Sequence, residues 1–172
     1  LSDIVADIVV KTDLATASKI IEEVNNTETE SSLSLKVISG ISKKDTKKIN
    51  QLAENNKENI DKLTLKAVQS ANSSKQDSIL IANVVAVANK ELANKLVDEV
   101  SKVSKDDKQS LSAKVFNEII KSTPDKFENL NTSIKDTLIE QTVTALKDQA
   151  EGNLIDDDDL NSAEIDEGAE DF

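Results

Sequence analysis

Four lysines, Lys43, Lys44, Lys47 and Lys48, make the most basic point of the chain. Clustered cations of this kind can contact a phosphate or an acidic peptide; they also occur as an ordinary solvated helix end. A second feature is the acidic run Asp156, Asp157, Asp158 and Asp159 in a terminus that closes on Phe172. Its carboxylates could steer a partner while Leu154, Ile155, Leu160, Ile165 and Phe172 anchor as a docking peptide. Asp157, Asp159 and Asn161 repeat the alternate spacing of a calcium loop. The loop then fails twice, with Ser162 where the turn needs Gly and Gly168 where the bidentate Glu belongs. Only loose, millimolar Mg²⁺ or Ca²⁺ binding by the Asp run is expected there. Two acid pairs, Glu22 with Glu23 and Asp98 with Glu99, invite a carboxylate mechanism. Neighbours on a helix point about 100° apart, so neither pair converges on one substrate.

The residue types that are missing exclude more. The chain has no His, Cys, Met, Trp or Tyr, and all 21 of its basic residues are Lys. No zinc, haem or iron–sulfur ligation and no disulfide follows from such a set. A Ser-His-Asp engine is impossible, and no guanidinium is available to clamp a phosphate or carboxylate bidentately. Neither catalytic residues nor a cofactor is expected. Nucleic-acid binding would need a basic domain with stacking aromatics, which this chain lacks.

The 172 residues carry 33 acids and a formal net charge of −12. The charge divides unevenly. Residues 151–172 hold ten acids and no Lys, while residues 1–150 hold the other 23 acids and every Lys. A nearly neutral body with an acidic, disordered tail is the expected organisation. Ile, Leu, Val and Phe supply 49 of the 172 residues. That exceeds the roughly 20% below which a highly charged chain stays unfolded. The core should be aliphatic, with Phe116 and Phe127 as its aromatics. No apolar run approaches the ~20 residues of a membrane span, and the first ten residues lack the basic flank of a signal peptide. The compartment stays unknown, the cytoplasm being slightly favoured. A start at Leu1 rather than Met suggests the C-terminal part of a longer protein.

The elements that must position these residues are helical. The body has one Gly, Gly40, and one Pro, Pro124, too few turn residues for a sheet protein. Leu14, Ala17, Ile21 and Val24 recur at helical spacing, as do Ile60, Leu63, Ala67, Val68 and Ala71, and Leu92, Leu96, Val100 and Val103. The pattern predicts helices at about 2–10, 13–25, 29–42, 45–54, 57–72, 76–88, 90–103, 106–121, 124–130 and 133–150. Capping boxes are expected at Thr27 with Glu30, Asn55 with Glu58, Ser74 with Asp77 and Ser104 with Asp107, and Thr123-Pro124 should open another helix. Two stretches are ambiguous: Ser32 to Val37 alternates like a strand, and Ile79 to Val87 is rich in β-branched residues.

Self-comparison resolves the first ambiguity. Residues 32–52 and 110–130 align without a gap and agree at nine of 21 positions, an offset of 78. KIIEEV at 19–24 matches KLVDEV at 95–100 at an offset of 76. Leu33, Val37, Ile38 and Ile41 return as Leu111, Val115, Phe116 and Ile119, a helical face, whereas Leu35 returns as Ala113. Gly40 returns as Glu118, so Gly40 reads as a tolerated helix glycine rather than a turn.

The expected fold is therefore all-α: tandem short helices from an internal duplication of about 78 residues, stacked as an α-solenoid. A compact duplicated helical bundle is the alternative. Copy one spans about 1–73, copy two about 74–150, and residues 151–172 form the tail. In general style, short amphipathic helices with acidic faces, the chain is similar to the N-terminal superhelical domain of bacterial magnesium transporters. That similarity implies cation sensing by acidic side chains; it rests on pattern alone and carries no residue over. The tail's acidic composition and final Phe172 resemble the partner-recruiting terminus of bacterial single-strand DNA-binding proteins, whose sheet-based body this chain does not share. The expected function is a non-enzymatic helical-repeat scaffold or protein–protein interaction segment with unknown protein partners. A divalent-cation-sensing regulatory domain is the alternative.

Overall fold

The computed structural model describes residues 1–27, 32–106 and 110–152. Among these the chain is all-helical, with ten helices and no strand. They are α1 (Ser2–Lys11), α2 (Leu14–Asn26), α3 (Leu33–Lys44), α4 (Thr46–Asn55), α5 (Lys57–Ser70), α6 (Lys75–Val87), α7 (Lys90–Asp106), α8 (Leu111–Ser122), α9 (Pro124–Glu128) and α10 (Thr132–Ala150). Both ambiguous stretches are helical, one in α3 and one in α6. No helix is long and apolar enough to cross a membrane.

The helix ends depart from the expected caps for identifiable reasons. Ser74 does cap α6, its hydroxyl accepting from Asp77 N at 3.1 Å. The Asp77 carboxylate does not close the box on Ser74 but accepts from Asn72 N at 2.9 Å. Pro124 sits in the first turn of α9 as expected, although the Thr123 side chain makes no capping bond. Two other boxes are overturned, and the third, Thr27 with Glu30, lies partly outside the described residues. Thr27 itself terminates α2, its hydroxyl donating to Glu23 O at 3.0 Å. Asn55 is the last residue of α4 and bonds back to Gln51 O at 2.8 Å. Ser104 lies inside α7, which runs three residues past its expected end, and is buried there against Ser112. The caps that do form use other residues. Asp13 accepts from Thr16 N at 2.8 Å, Asp45 from Lys47 N and Lys48 N, each at 3.1 Å, and Asn89 from Leu92 N at 2.9 Å. A short polar side chain satisfies an orphan N–H wherever it meets the first turn, with or without an acid three residues on.

Packing joins the helices in two rows. In one, α1 lies on α3, α3 on α6 and α6 on α8. In the other, α2 lies on α5, α5 on α7 and α7 on α10. Contacts between α1 and α2, α3 and α5, α6 and α7, and α8 and α10 tie the rows together, while short α4 packs on α3 and α5 and short α9 on α8. One continuous apolar core runs between the rows, from Ala6 and Val9 through Ile38, Leu63, Ile81 and Val97 to Leu138. Removing such aliphatic side chains from water stabilises by about 1.5–3 kcal/mol each. Phe116 and Phe127 stack with ring centroids 4.7 Å apart.

Gly40 has a structural role that the sequence reading missed. A Cβ placed on it would lie 2.9 Å from Ala6 Cβ, inside contact distance and against an atom fixed to its own backbone. The glycine therefore sets how closely α3 approaches α1. The corresponding Glu118 on α8 shows that the α6–α8 pair does not use the same close approach.

Candidate functional site

The lysine cluster straddles the α3–α4 corner and divides by role. Lys44 Nζ lies 3.0 Å from both Asp3 Oδ1 and Asp7 Oδ1 on α1. Hydrogen bonds to Asp3 and then Asp7 raise its pKa above the ordinary lysine value. Lys48 is buried and donates to Thr12 O at the end of α1. Lys43 and Lys47 are exposed. Two of the four cations thus hold α1 against the corner, and two face solvent. Asp156, Asp157, Asp158, Asp159 and Phe172 lie outside the described residues, as does the calcium-like spacing at Asp157, Asp159 and Asn161.

The acid pairs do not converge. Glu22 and Glu23 are both exposed, and Glu23 pairs with Lys19 at 3.7 Å. On α7, Glu99 is buried and lies 3.2 Å from Lys95 and 3.5 Å from Lys102. Asp98 pairs with Lys102 at 3.1 Å. The Lys102 pKa is raised, first by the hydrogen bond to Asp98 and then by the charge of Glu99. These are intrahelical ion pairs at three- and four-residue spacing, which stiffen a helix face. Among the described residues no group of three or more His, Cys, Asp or Glu is placed to hold a metal ion.

Lysine does other work here, unmarked by any motif. Lys48 Nζ donates to Thr12 O, Lys66 Nζ to Asn25 O, Lys114 Nζ to Ser73 O, and Lys126 Nζ to Ala88 O at 2.8 Å. Thr12 O, Asn25 O and Ala88 O lie in the last turn of a helix or at its C-cap, whereas Ser73 O lies in the α5–α6 turn just before the Ser74 cap. The first three sit at the negative end of a helix dipole, where a cation is favoured. A lysine from a later helix thereby caps an earlier one. Asparagine stitches the joints similarly. Asn50 Nδ2 donates to Val87 O at 2.9 Å while its Oδ1 accepts from Asn89 N at 2.7 Å, pinning α4 to the α6–α7 turn.

Two grooves open on the α2–α5–α7–α10 row. One, of about 460 Å³, is lined by Lys57, Glu58, Asp61, Lys62, Leu65 and Lys95 where α5 meets α7. Lys57 bridges it, 3.0 Å from Asp61 and 3.1 Å from Glu91, and both bonds raise its pKa, that to Asp61 the more. The other, of about 410 Å³, lies between the end of α7 and α10, and Gln141, Ala145 and Asp148 are among its lining residues. The sequence did hold a signal for the first: Leu65 is an apolar residue off the Ile60, Leu63, Ala67 stripe of α5. It is half-buried at the groove.

No family model matches this chain. Neither does any curated protein or solved structure.

Proposed function

We propose that the chain is a non-enzymatic scaffold built from two five-helix units, about 1–73 and 74–150, stacked as an α-solenoid. It would bind a protein partner along the α2–α5–α7–α10 row. The observation that carries this reading is the recurrence of packing at the offset of the sequence repeat. The contacts α1–α2, α1–α3, α2–α5, α3–α4 and α3–α5 have counterparts in α6–α7, α6–α8, α7–α10, α8–α9 and α8–α10. An individual bond recurs as well: Lys48 to Thr12 O corresponds to Lys126 to Ala88 O. The units then meet through α3 on α6 and α5 on α7, so each packs on its neighbour, as solenoid repeats do.

The α5–α7 groove favours a partner segment with an apolar anchor. Its cations are already satisfied, Lys57 by Asp61 and Glu91, Lys62 by Glu58 and Lys95 by Glu99, which leaves Leu65 as the unspent contact. The test is to cross-link the full chain to the proteins it retains and repeat with Leu65→Glu. The reading expects cross-links on Lys57, Lys62 and Lys95 that are lost in the variant at unchanged helicity. Retained partners indifferent to Leu65→Glu would contradict it, as would a folded chain that retains none.

A further inference from the structure

The turn between α6 and α7 and the short helix α9 enclose a pocket of about 190 Å³ that the scaffold reading does not use. Its lining is Ala88, Lys90, Ala93, Lys126, Asn129 and Leu130. Ala88, Ala93 and Leu130 are buried and make an apolar wall. Lys126 is half-buried, and one of its three N–H donors goes to Ala88 O at 2.8 Å. Lys90 is exposed. Among the described residues no acid lines the pocket. Glu91 lies 3.1 Å from Lys57, and Asp125 and Glu128 are exposed on α9 outside the lining.

The matching joint of the first unit carries its own anion. Asp13 caps α2 from Thr16 N at 2.8 Å, as Asn89 caps α7 from Leu92 N at 2.9 Å. Lys48 donates to Thr12 O, as Lys126 donates to Ala88 O. Ala17 and Leu52 stand where Ala93 and Leu130 stand in the second unit. Two positions change charge: Asp13 returns as Asn89, and Leu14 returns as Lys90. In the first joint, the bonds from Thr16 and then the positive charge of Lys48 hold the Asp13 pKa below its ordinary value. That joint pairs one lysine with one carboxylate. The second sets two lysines against an apolar wall and supplies no carboxylate. A concave site lined by one sign of charge beside low-dielectric walls concentrates the opposite ion.

We propose that this pocket binds a small carboxylate. The carboxylate would accept from Lys90 Nζ and Lys126 Nζ, and a short aliphatic body would lie on Ala88, Ala93 and Leu130. Pockets for drug-sized ligands run to about 300–1,000 Å³, so this one takes a body of only a few carbons. Lysine is a point charge and not a planar fork, so size and the apolar wall do the selecting. A free short-chain acid and an acidic side chain of a bound partner offer the same chemistry. The comparison with Asp13 rests on the two-unit reading, whereas the pocket and its charges belong to α6, α7 and the α9 segment alone.

The test is to titrate the ¹⁵N-labelled full chain with sodium butyrate at fixed ionic strength. Saturable amide shifts at Lys90, Ala93, Asn129 and Leu130 are expected, with a midpoint on the order of 1 mM. Asn89→Asp keeps a capping oxygen and restores the anion of the first unit; Lys90→Leu restores its apolar residue. Each should raise the midpoint about tenfold at unchanged circular dichroism. Lys126 is left in place because it also holds the joint. The peptide acetyl-Leu-Asp-Leu-amide separates the two sources. Saturation below the butyrate midpoint assigns the pocket to a partner's side chain, and saturation above it to a free acid. Sodium sulfate giving the same shifts at the same midpoint would mark unselective pairing with lysine and overturn the inference. So would a lack of saturable shifts with both carboxylates, or a midpoint that neither variant moves. Loss with Lys90→Leu but not with Asn89→Asp would keep the pocket and contradict its correspondence to the Asp13 joint. None of these outcomes changes the spacing of the helix rows, so the inference can fail while the two-unit reading stands.

Discussion

Gly40 shows how a single residue can be misjudged by its type. In a helix interior Gly is unfavourable by about 1 kcal/mol relative to Ala, and propensity alone makes Gly40→Ala stabilising. The structure reverses the sign, because the added methyl would sit 2.9 Å from Ala6 Cβ and push α1 off α3. Overpacking of this kind costs about 1–3 kcal/mol. Gly40→Ala should therefore lower Tm in a thermal melt, whereas Gly40→Ala combined with Ala6→Gly should recover most of the loss. A more stable single variant would show that the close approach is not what selects glycine. Nothing in the local sequence pointed to this, since the partner of Gly40 lies 34 positions away in the chain. The overturned caps have a similar cause. Asn55 and Ser104 have the right type and spacing, yet each sits at a helix end or interior where its side chain turns back to the preceding turn or to a neighbouring helix.

At the scale of helices, periodicity was informative where the buried face was continuous. The stripes of α2, α5 and α7 are those read from spacing, and their bounds differ from expectation by a few residues. The α3 stretch that alternates like a strand was resolved by its counterpart in α8, because only a helical face is common to both. Long-range polar joints were not legible. A lysine that reaches a carbonyl some 40 residues earlier looks, in sequence, like any solvated cation. Those joints define an expectation. Lys126→Met keeps the aliphatic stem and removes the donor to Ala88 O, and Lys48→Met does the same to Thr12 O. An unpaired buried acceptor costs about 1–3 kcal/mol. Both variants should unfold at lower denaturant concentration than wild type by comparable amounts, with an unchanged m-value. A loss at Lys48 with none at Lys126 would mean that the two contacts are not equivalent.

For the molecule as a whole, helix contacts form two rows with an apolar core between them, and the proposed two-unit array sets how far apart the ends of a row should lie. The candidate site was the least legible part. The lysine cluster drew attention by charge, yet Lys44 and Lys48 are committed to α1, and the open surface lies around Leu65, Ile139 and Val143, apolar residues off the main stripes. The absence of cysteine makes the arrangement directly measurable, since two introduced thiols would be the only ones in the chain. Spin labels on Ala15→Cys in α2 and Ser133→Cys in α10, both exposed, would report the separation of the second row's ends. The labelled chain should be diluted in excess unlabelled protein, so that only distances within a chain are read. Three steps of 8–10 Å between packed helices place those axes roughly 25–30 Å apart. A dipolar distance distribution centred there or beyond is the expected result; one centred near a single helix spacing of about 10 Å, with α10 folded back on α2, would contradict the stacked two-unit array.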